Sequence, residues 1–289
     1  MKTFKSILSL SLAFLATATM AQINTPASSP AGTVISTVGL TEVTIEYSRP
    51  KMKGRKIFGE GADYLLPHGQ LWRSGANAGS KLTLSTAATI GGTDVEAGTY
   101  MIYTVPGKDS WDFMLYSDLA LGGNVRGYDK ANEVLRASVK PTNLSSNVET
   151  MTFNISDISE DNTSANIELA WANVSVKVPI KVDFDKTVMA DIEAKTQVRP
   201  GNYATAANYY LTNGKDLNKA LEWMNLYLAI GENANQFWNM HTKARILAAL
   251  GNKKEAIAAA QNSLEKATES KNAAYIKRNE DLIAEVKKK

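Results

Sequence analysis

The sequence predicts a mainly antiparallel β-sandwich followed by an all-α helical domain. Short segments alternating apolar and polar residues run from Thr41 to Val182 with no helical pattern between them, which argues for a sandwich of roughly eight or nine strands. Near Asp185 the apolar spacing changes from two residues to that of a helix and keeps it to the end of the chain. At 289 residues, each part is long enough to bury its own core.

In chain order, residues 1–21 (MKTFKSILSLSLAFLATATMA) read as a secretory signal peptide. Lys2 and Lys5 precede an apolar run from Ile7 to Leu15, and Thr19 and Ala21 supply the small residues that cleavage needs. That run is shorter than the ~18 residues of a membrane span, and no other stretch approaches that length. The mature chain is therefore expected to be exported, periplasmic or extracellular, with no transmembrane segment. Residues 22–32 form a polar tether with Pro26 and Pro30.

The β-sandwich domain spans residues 33–186. Its first clear strand sets Val43, Ile45 and Tyr47 against Glu42, Thr44 and Glu46. Ser48 to Ser80 is a long loop punctuated by Gly54, Gly59, Gly61, Pro67 and Gly69. Leu82 and Leu84 resume the alternation, and Ala88 to Val95 reads as a hairpin turning on Gly91-Gly92. GTYMIYTV (98–105) and WDFMLY (111–116) follow, then strands at Val134 to Val139, Glu149 to Ile155, Ala165 to Trp171 and Val174 to Val182. Pro179 lacks a ladder donor, so its strand is expected at an edge or bulged there. Trp111 and Trp171, within strands, are expected in the core.

The α-helical domain spans residues 187–289. Candidate helices are Thr187 to Gln197, Pro200 to Leu211, Asp216 to Ile230, Gln236 to Leu250, Lys253 to Ser270 and Ala273 to Lys287. Leu217, Leu221, Met224 and Leu228 form one apolar stripe; Phe237, Met240, Ala244 and Leu247 form another. The run FWNMHTKARILAALGNKKEAIAAAQNSLEKA resembles a tetratricopeptide-type unit, with Ala244 and Ala256 at the helix crossing and Gly251 ending the first helix. Barely two such units fit and the characteristic Trp, Tyr and closing Pro are missing, which points to a TPR-like cap or protein-interaction surface.

Cysteine is absent, excluding disulfides, thiol catalysis, thiolate metal sites and lipid attachment at a lipobox. Removal of residues 1–21 takes the formal charge from +3 to +1, so nothing in the net charge argues for nucleic acid. From Gln22 to Lys186 there are 15 Lys/Arg against 18 Asp/Glu, yet five of those cations are Arg49, Lys51, Lys53, Arg55 and Lys56. A local cationic patch on an acidic domain follows. No dinucleotide fingerprint, phosphate-binding loop or H-E-x-x-H motif occurs, so no cofactor is implied.

The candidate site residues lie in the long loop. Arg49 and Arg55, beside Pro50 and Gly54, could pair bidentately with a phosphate, sulfate or carboxylate. Trp72, Arg73 and Asn77 could stack on and hydrogen-bond a glycan or other planar ligand. The competing reading packs Trp72 beneath the loop, with Arg73 satisfying loop carbonyls. His68 and His241 are the only histidines; they fall in different domains, so no metal site is expected. A hydrolase would have to use His68 with Asp63 or Glu60, without a G-x-S-x-G elbow to support it.

Ser48-Arg49-Pro50, Lys53-Gly54-Arg55-Lys56-Ile57-Phe58-Gly59, Leu66-Pro67-His68-Gly69, Leu71-Trp72-Arg73-Ser74-Gly75-Ala76-Asn77, Ala97-Gly98-Thr99-Tyr100, Leu169-Ala170-Trp171 and Val178-Pro179-Ile180 closely resemble the family named domain of unknown function 2911. The likeness runs from about Thr33 to Phe184. It implies a secreted protein of a Bacteroidetes-type bacterium and carries no established activity. His68 stands where a Tyr is common, which weakens a catalytic role for it. The sequence thus supports a secreted binding or interaction module for a glycan, an anionic small molecule or an envelope component, with a protein partner on the helical domain; the alternative is the hydrolase centred on His68.

Overall fold

The computed structural model describes residues 25–196 and 200–288, so the signal-peptide reading falls outside the described residues. The chain divides between Asp183 and Phe184 into a β unit and a helical unit. In chain order the strands are β1 (Ala31–Val38), β2 (Thr41–Ser48), β3 (Phe58–Gly59), β4 (Leu66–Pro67), β5 (Ser80–Leu84), β6 (Ala88–Ile90), β7 (Thr93–Val95), β8 (Gly98–Val105), β9 (Trp111–Tyr116), β10 (Glu133–Val139), β11 (Thr142–Ser156) and β12 (Ser164–Lys181). One antiparallel sheet has the order β1-β2-β5-β8-β9-β10, and the second has the order β11-β12-β6-β7. This is the β-sandwich expected from the alternation.

Register fixes which side chains face inward. Ile45 pairs with Leu82, Ile102 with Leu115, and Thr104 with Phe113. These sit on one face of the first sheet, while Met151, Phe153, Ile167, Leu169 and Trp171 are buried in the second. Tyr47 meets Phe153 edge-on at 5.1 Å, a contact between the two sheets. Trp111 and Trp171 are both about 1% exposed and belong to this core.

The hairpin read at Ala88 to Val95 is β6–β7, and both turn glycines adopt positive φ. Gly91 is fixed twice over, since a Cβ there would lie 2.3 Å from the Cβ of Ala137. The segments read as two strands, Ala165 to Trp171 and Val174 to Val182, form the single strand β12. It bends at Ala172, whose φ is +52°, where the pairing with β11 shifts register. Pro179 does not lie on an edge strand, because β12 has β11 on one side and β6 on the other. Its missing N–H is tolerated because pairing with β11 reaches only Ser175, while the Pro179 carbonyl still accepts from Gly91 N–H at 2.9 Å. β1 is not anticipated by the pattern: its apolar Val34, Ile35 and Val38 do not alternate.

Among the described residues the second unit has six α-helices: α1 (Asp185–Thr196), α2 (Tyr203–Thr212), α3 (Leu217–Leu228), α4 (Phe237–Ala249), α5 (Lys253–Glu269) and α6 (Ala273–Lys288). Asp216 caps α3 by accepting from the N–H groups of Asn218 and Lys219. Ala220, Ala244, Ala256 and Ala260 are fully buried, so small side chains set the close approach of α3, α4 and α5. A polar chain runs through this core. His241 Nδ1 lies 2.8 Å from Asn279 Oδ1, the Asn279 amide donates to Ser263 Oγ and to the Tyr275 carbonyl, and Ser263 donates to the Phe237 carbonyl. Because the Asn279 amide nitrogen is fully used as a donor, its oxygen accepts, and His241 carries its proton on Nδ1. Burial holds the His241 imidazole below its ordinary pKa, with Arg245 and Arg278 adding to that direction.

Candidate functional site

The loop from Ser48 to Ser80 is held along its whole length by backbone bonds. Its first part runs beside β11: Met52 N–H donates to the Glu149 carbonyl at 2.8 Å, and Met151 N–H donates to that of Pro50 at 2.9 Å. Its middle folds on itself as the parallel pair β3–β4. Its end returns to the first sheet, where Trp72 and Thr104 exchange both backbone bonds at 2.8 Å. The loop therefore ties the edge of one sheet to the other.

Alternation about that last bridge decides where the neighbouring side chains go. Trp72 points to the inner side with Thr104, is 6% exposed, and stacks on Trp171 at 5.8 Å. Phe58 packs edge-on against Trp72, Trp111 and Trp171, and Ile57 is buried beside it in sequence. The Trp72 indole N–H donates to the Gly75 carbonyl at 3.0 Å. Ser74 donates to Thr104 Oγ1, and Ser80 donates to the Ser74 carbonyl. Arg73 emerges on the opposite side and bonds the Asn77 carbonyl at 2.7 Å.

The other candidates also bond locally. Arg49 reaches the Met151 carbonyl and Thr152 Oγ1 at 3.4 and 3.3 Å. Asn77, at φ +57°, donates to Ser48 Oγ and the Ser29 carbonyl. Arg55 bonds the carbonyls of Lys51 and Met52 at 2.6 and 2.9 Å, closing the turn that carries Lys53 at φ +49°. The structure thus brings Arg73 to Asn77, and it places Arg49 and Asn77 each against a neighbouring chain segment. Trp72 sits in the core, and Arg55 occupies its own turn. Around that turn Lys51, Lys53, Arg55 and Lys56 are exposed. Glu149 accepts from the Lys53 backbone N–H and makes no ion pair with these cations.

His68 is half-buried on the loop, and its Nδ1 is buried without a hydrogen-bond partner. No hydrogen bond joins it to Asp63 or Glu60. Among the described residues no group of three or more His, Cys, Asp or Glu side chains could hold a metal.

The sequence reading did not anticipate a second aromatic cluster, on the outer face of the first sheet. Met101, Tyr103, Met114 and Tyr116 are buried there beneath Leu71, Leu121 and Tyr128. Tyr128 stacks on Tyr116 at 4.7 Å and donates to Glu133 at 3.0 Å. Glu133 is in turn clamped by Arg136, which also reaches Asp112 at 2.7 Å. The Arg136 bond holds Glu133 below the usual carboxylate range, and burial raises the Tyr128 hydroxyl well above its ordinary pKa. Burial likewise raises Tyr103, whose hydroxyl has Gly123 N–H nearby but not in hydrogen-bond geometry. A Cβ on Gly123, at φ +83°, would lie 2.7 Å from the Ala78 carbonyl oxygen, so the covering segment is pressed onto the end of the long loop. The sequence does carry a signal for this cluster. The apolar residues of GTYMIYTV and WDFMLY are consecutive, the mark of a strand buried on both faces.

A family model described as a protein of unknown function, DUF2911, matches residues 29–180. No curated protein and no solved structure matches the chain. The matched stretch starts two residues before β1, takes in the whole long loop, and ends within β12. Since it covers more than half of the 289 residues, the chain belongs to the DUF2911 family.

Proposed function

We propose that the chain is an exported, noncatalytic binding module whose sandwich presents a cationic turn to an anionic glycan, small anion or polymer of the cell envelope, with the helical unit serving protein interaction. The supporting observation is the concentration of charge. Arg49, Lys51, Lys53, Arg55 and Lys56 lie within eight residues, and none is ion-paired to a carboxylate among the described residues. Elsewhere in the same unit Arg136 and Lys177 are paired, and unpaired cations such as Lys81, Lys108 and Lys140 stand apart from one another in sequence, so the clustering marks the turn. Arg55 closes the turn by its two carbonyl bonds, so Lys51 and Lys53 extend from a fixed backbone, while the Lys56 ammonium lies over the Tyr64 ring at 5.7 Å. Such a patch attracts polyanions in a salt-dependent way.

The test is retention of the full chain on immobilised dextran sulfate against neutral dextran. The expected result is retention at low salt that is lost in the Lys51→Glu/Lys56→Glu variant and kept in a Lys108→Glu/Lys140→Glu control. Equal loss in both variants would overturn the reading.

A further inference from the structure

A sheet edge offers a row of main-chain donors and acceptors to any strand that reaches it, and three of the four edges of this sandwich are guarded. β7 is three residues long and carries Asp94. β10 carries the ion pair of Glu133 with Arg136. β11 shifts register twice along its length and is met at Thr150 by Lys51 of the long loop. β1 has none of these protections. Its residues AGTVISTV include no charge and no proline, and every one from Ala31 to Val38 has its partner in β2 without a register shift. Ile35 at its middle is 61% exposed and Leu40 in the turn after it 55%, the two most exposed large hydrophobic side chains among the described residues.

The ladder fixes which main-chain groups of β1 are free. Arg49 N–H donates to the Pro30 carbonyl, and on the other side of β2 Ser85 N–H donates to the Glu42 carbonyl. Main-chain direction alternates along a strand, so Val43, Ile45 and Tyr47 turn their groups toward β1, and their partners Ser36, Val34 and Gly32 turn theirs toward β2. The N–H and C=O groups of Thr33, Ile35 and Thr37 therefore point away from the sheet, and they have no hydrogen-bond partner among the described residues. The side chains of the same three residues lie together on the exposed outer face. At the start of the strand the edge is closed: Arg49 lies against Gly32 on its way to Met151 and Thr152 of β11, and Asn77 takes the Ser29 carbonyl. The free run is Thr33 to Thr37.

We propose that this run pairs antiparallel with the same run of a second copy of the chain, about a two-fold axis at Ile35, joining the two first sheets edge to edge. What selects a second copy is that Thr33-Val34-Ile35-Ser36-Thr37 repeats its outward residue types about its centre. Turned on itself, it sets Ile35 opposite Ile35 and Thr33 opposite Thr37. Apolar then meets apolar and hydroxyl meets hydroxyl, the cross-strand pairs that stabilise a sheet. In each facing pair the main-chain groups of both residues are directed at one another, so each pair exchanges two bonds. No charge opposes the joint. The acids beside Thr37 and Thr33 on β2 are Glu42 and Glu46, and across the joint they lie three strand spacings apart, about 14 Å, beyond the Debye length of about 8 Å. Each copy has one unguarded edge and the two-fold uses it, so assembly closes at a dimer. The pairing does not depend on the cationic turn.

The experiment measures the mass of the full chain by sedimentation equilibrium over a range of concentrations, with circular dichroism as the check on folding. A dimer that dissociates on dilution is expected. Ile35→Lys sets two ammonium groups face to face on an exposed edge, so it should leave the fold intact and make the chain monomeric. Thr33→Lys/Thr37→Glu places each new lysine opposite a new glutamate of the other copy, so it should keep the dimer and make it sensitive to salt. Thr33→Lys/Thr37→Lys should abolish it. Because the chain has no cysteine, a single introduced thiol reports the register: facing residues have Cα atoms about 5.5 Å apart, within reach of a disulfide. Under oxidised glutathione, Ile35→Cys should run as a covalent dimer on a non-reducing gel and Thr37→Cys should not. A folded wild-type chain that stays monomeric at every concentration overturns the proposal. So does a dimer that survives Ile35→Lys, or one that crosslinks equally at both positions.

Discussion

The Ser48–Ser80 loop and the trough on α3–α5 are opposites. The loop is crowded with residue types that bind ligands, yet the structure turns the polar groups of Trp72, Arg73, Asn77, Arg49 and Arg55 onto its own and adjacent chain. The trough, an open hollow of about 460 Å³, is built from ordinary helix residues, yet its Asn225, Lys243, Glu255 and Asn262 side chains make no hydrogen bond or ion pair among the described residues. A residue's type says what it can bond. Whether that bonding capacity is still free depends on the neighbours, and a group already satisfied gains little from a ligand.

The sharpest way to break this contrast is Trp72→Ala. If Trp72 is a core residue, the sandwich should lose about 3–5 kcal/mol in denaturant unfolding; a loss below about 1 kcal/mol would return it to the surface as a ligand platform. Gly123→Ala comes next, at about 2 kcal/mol, because it combines a left-handed backbone with contact on the Ala78 carbonyl. In the helical unit, Asn279→Ala strips partners from His241 and Ser263 and should cost about 1–3 kcal/mol. The same network sets a pH dependence. With His241 held below its ordinary pKa, the unfolded chain takes up a proton below about pH 6.5 that the folded chain refuses. The helical unit should therefore lose stability as pH falls through that window, and His241→Gln should flatten the change in a thermal melt. The smallest effect belongs to the trough: Lys243→Met, which removes no hydrogen bond or ion pair among the described residues, should alter stability in denaturant unfolding by no more than about 0.5 kcal/mol.

The fold was largely legible in the sequence because alternation and helical spacing record burial directly. Val43, Ile45 and Tyr47 are buried as their period requires, and the Gly91-Gly92 hairpin forms where its glycines stand. β1 escaped because an edge strand buries few side chains; its Ile35 is 61% exposed, so little pattern is imposed on it. The place of Pro179 escaped because a ladder can stop on one side of a strand and continue on the other. The site was less legible. Nothing local tells an arginine that will meet Thr152, over a hundred residues later, from one that will meet an anion. For Lys243 the signal was present, a charge set at i+3 within the apolar stripe of Met240 and Leu247, and it is readable only as an exception to that stripe.

The stacking of Trp72 on Trp171 also has a meaning in time. The two rings are 99 positions apart in sequence, and Phe58 needs the same distant ring. Contacts of such long range slow folding, because the intervening loop must close before the contact rewards it. A nascent chain that ends before β12 can already bond the long loop to β11 and to Thr104 and pack Phe58 on Trp111, but it lacks Trp171, the ring on which Trp72 stacks. The aromatic core of the sandwich is therefore completed only when nearly all of its sequence has been made. For a chain proposed to be exported, completion of the core is thereby tied to the last strand of the sandwich.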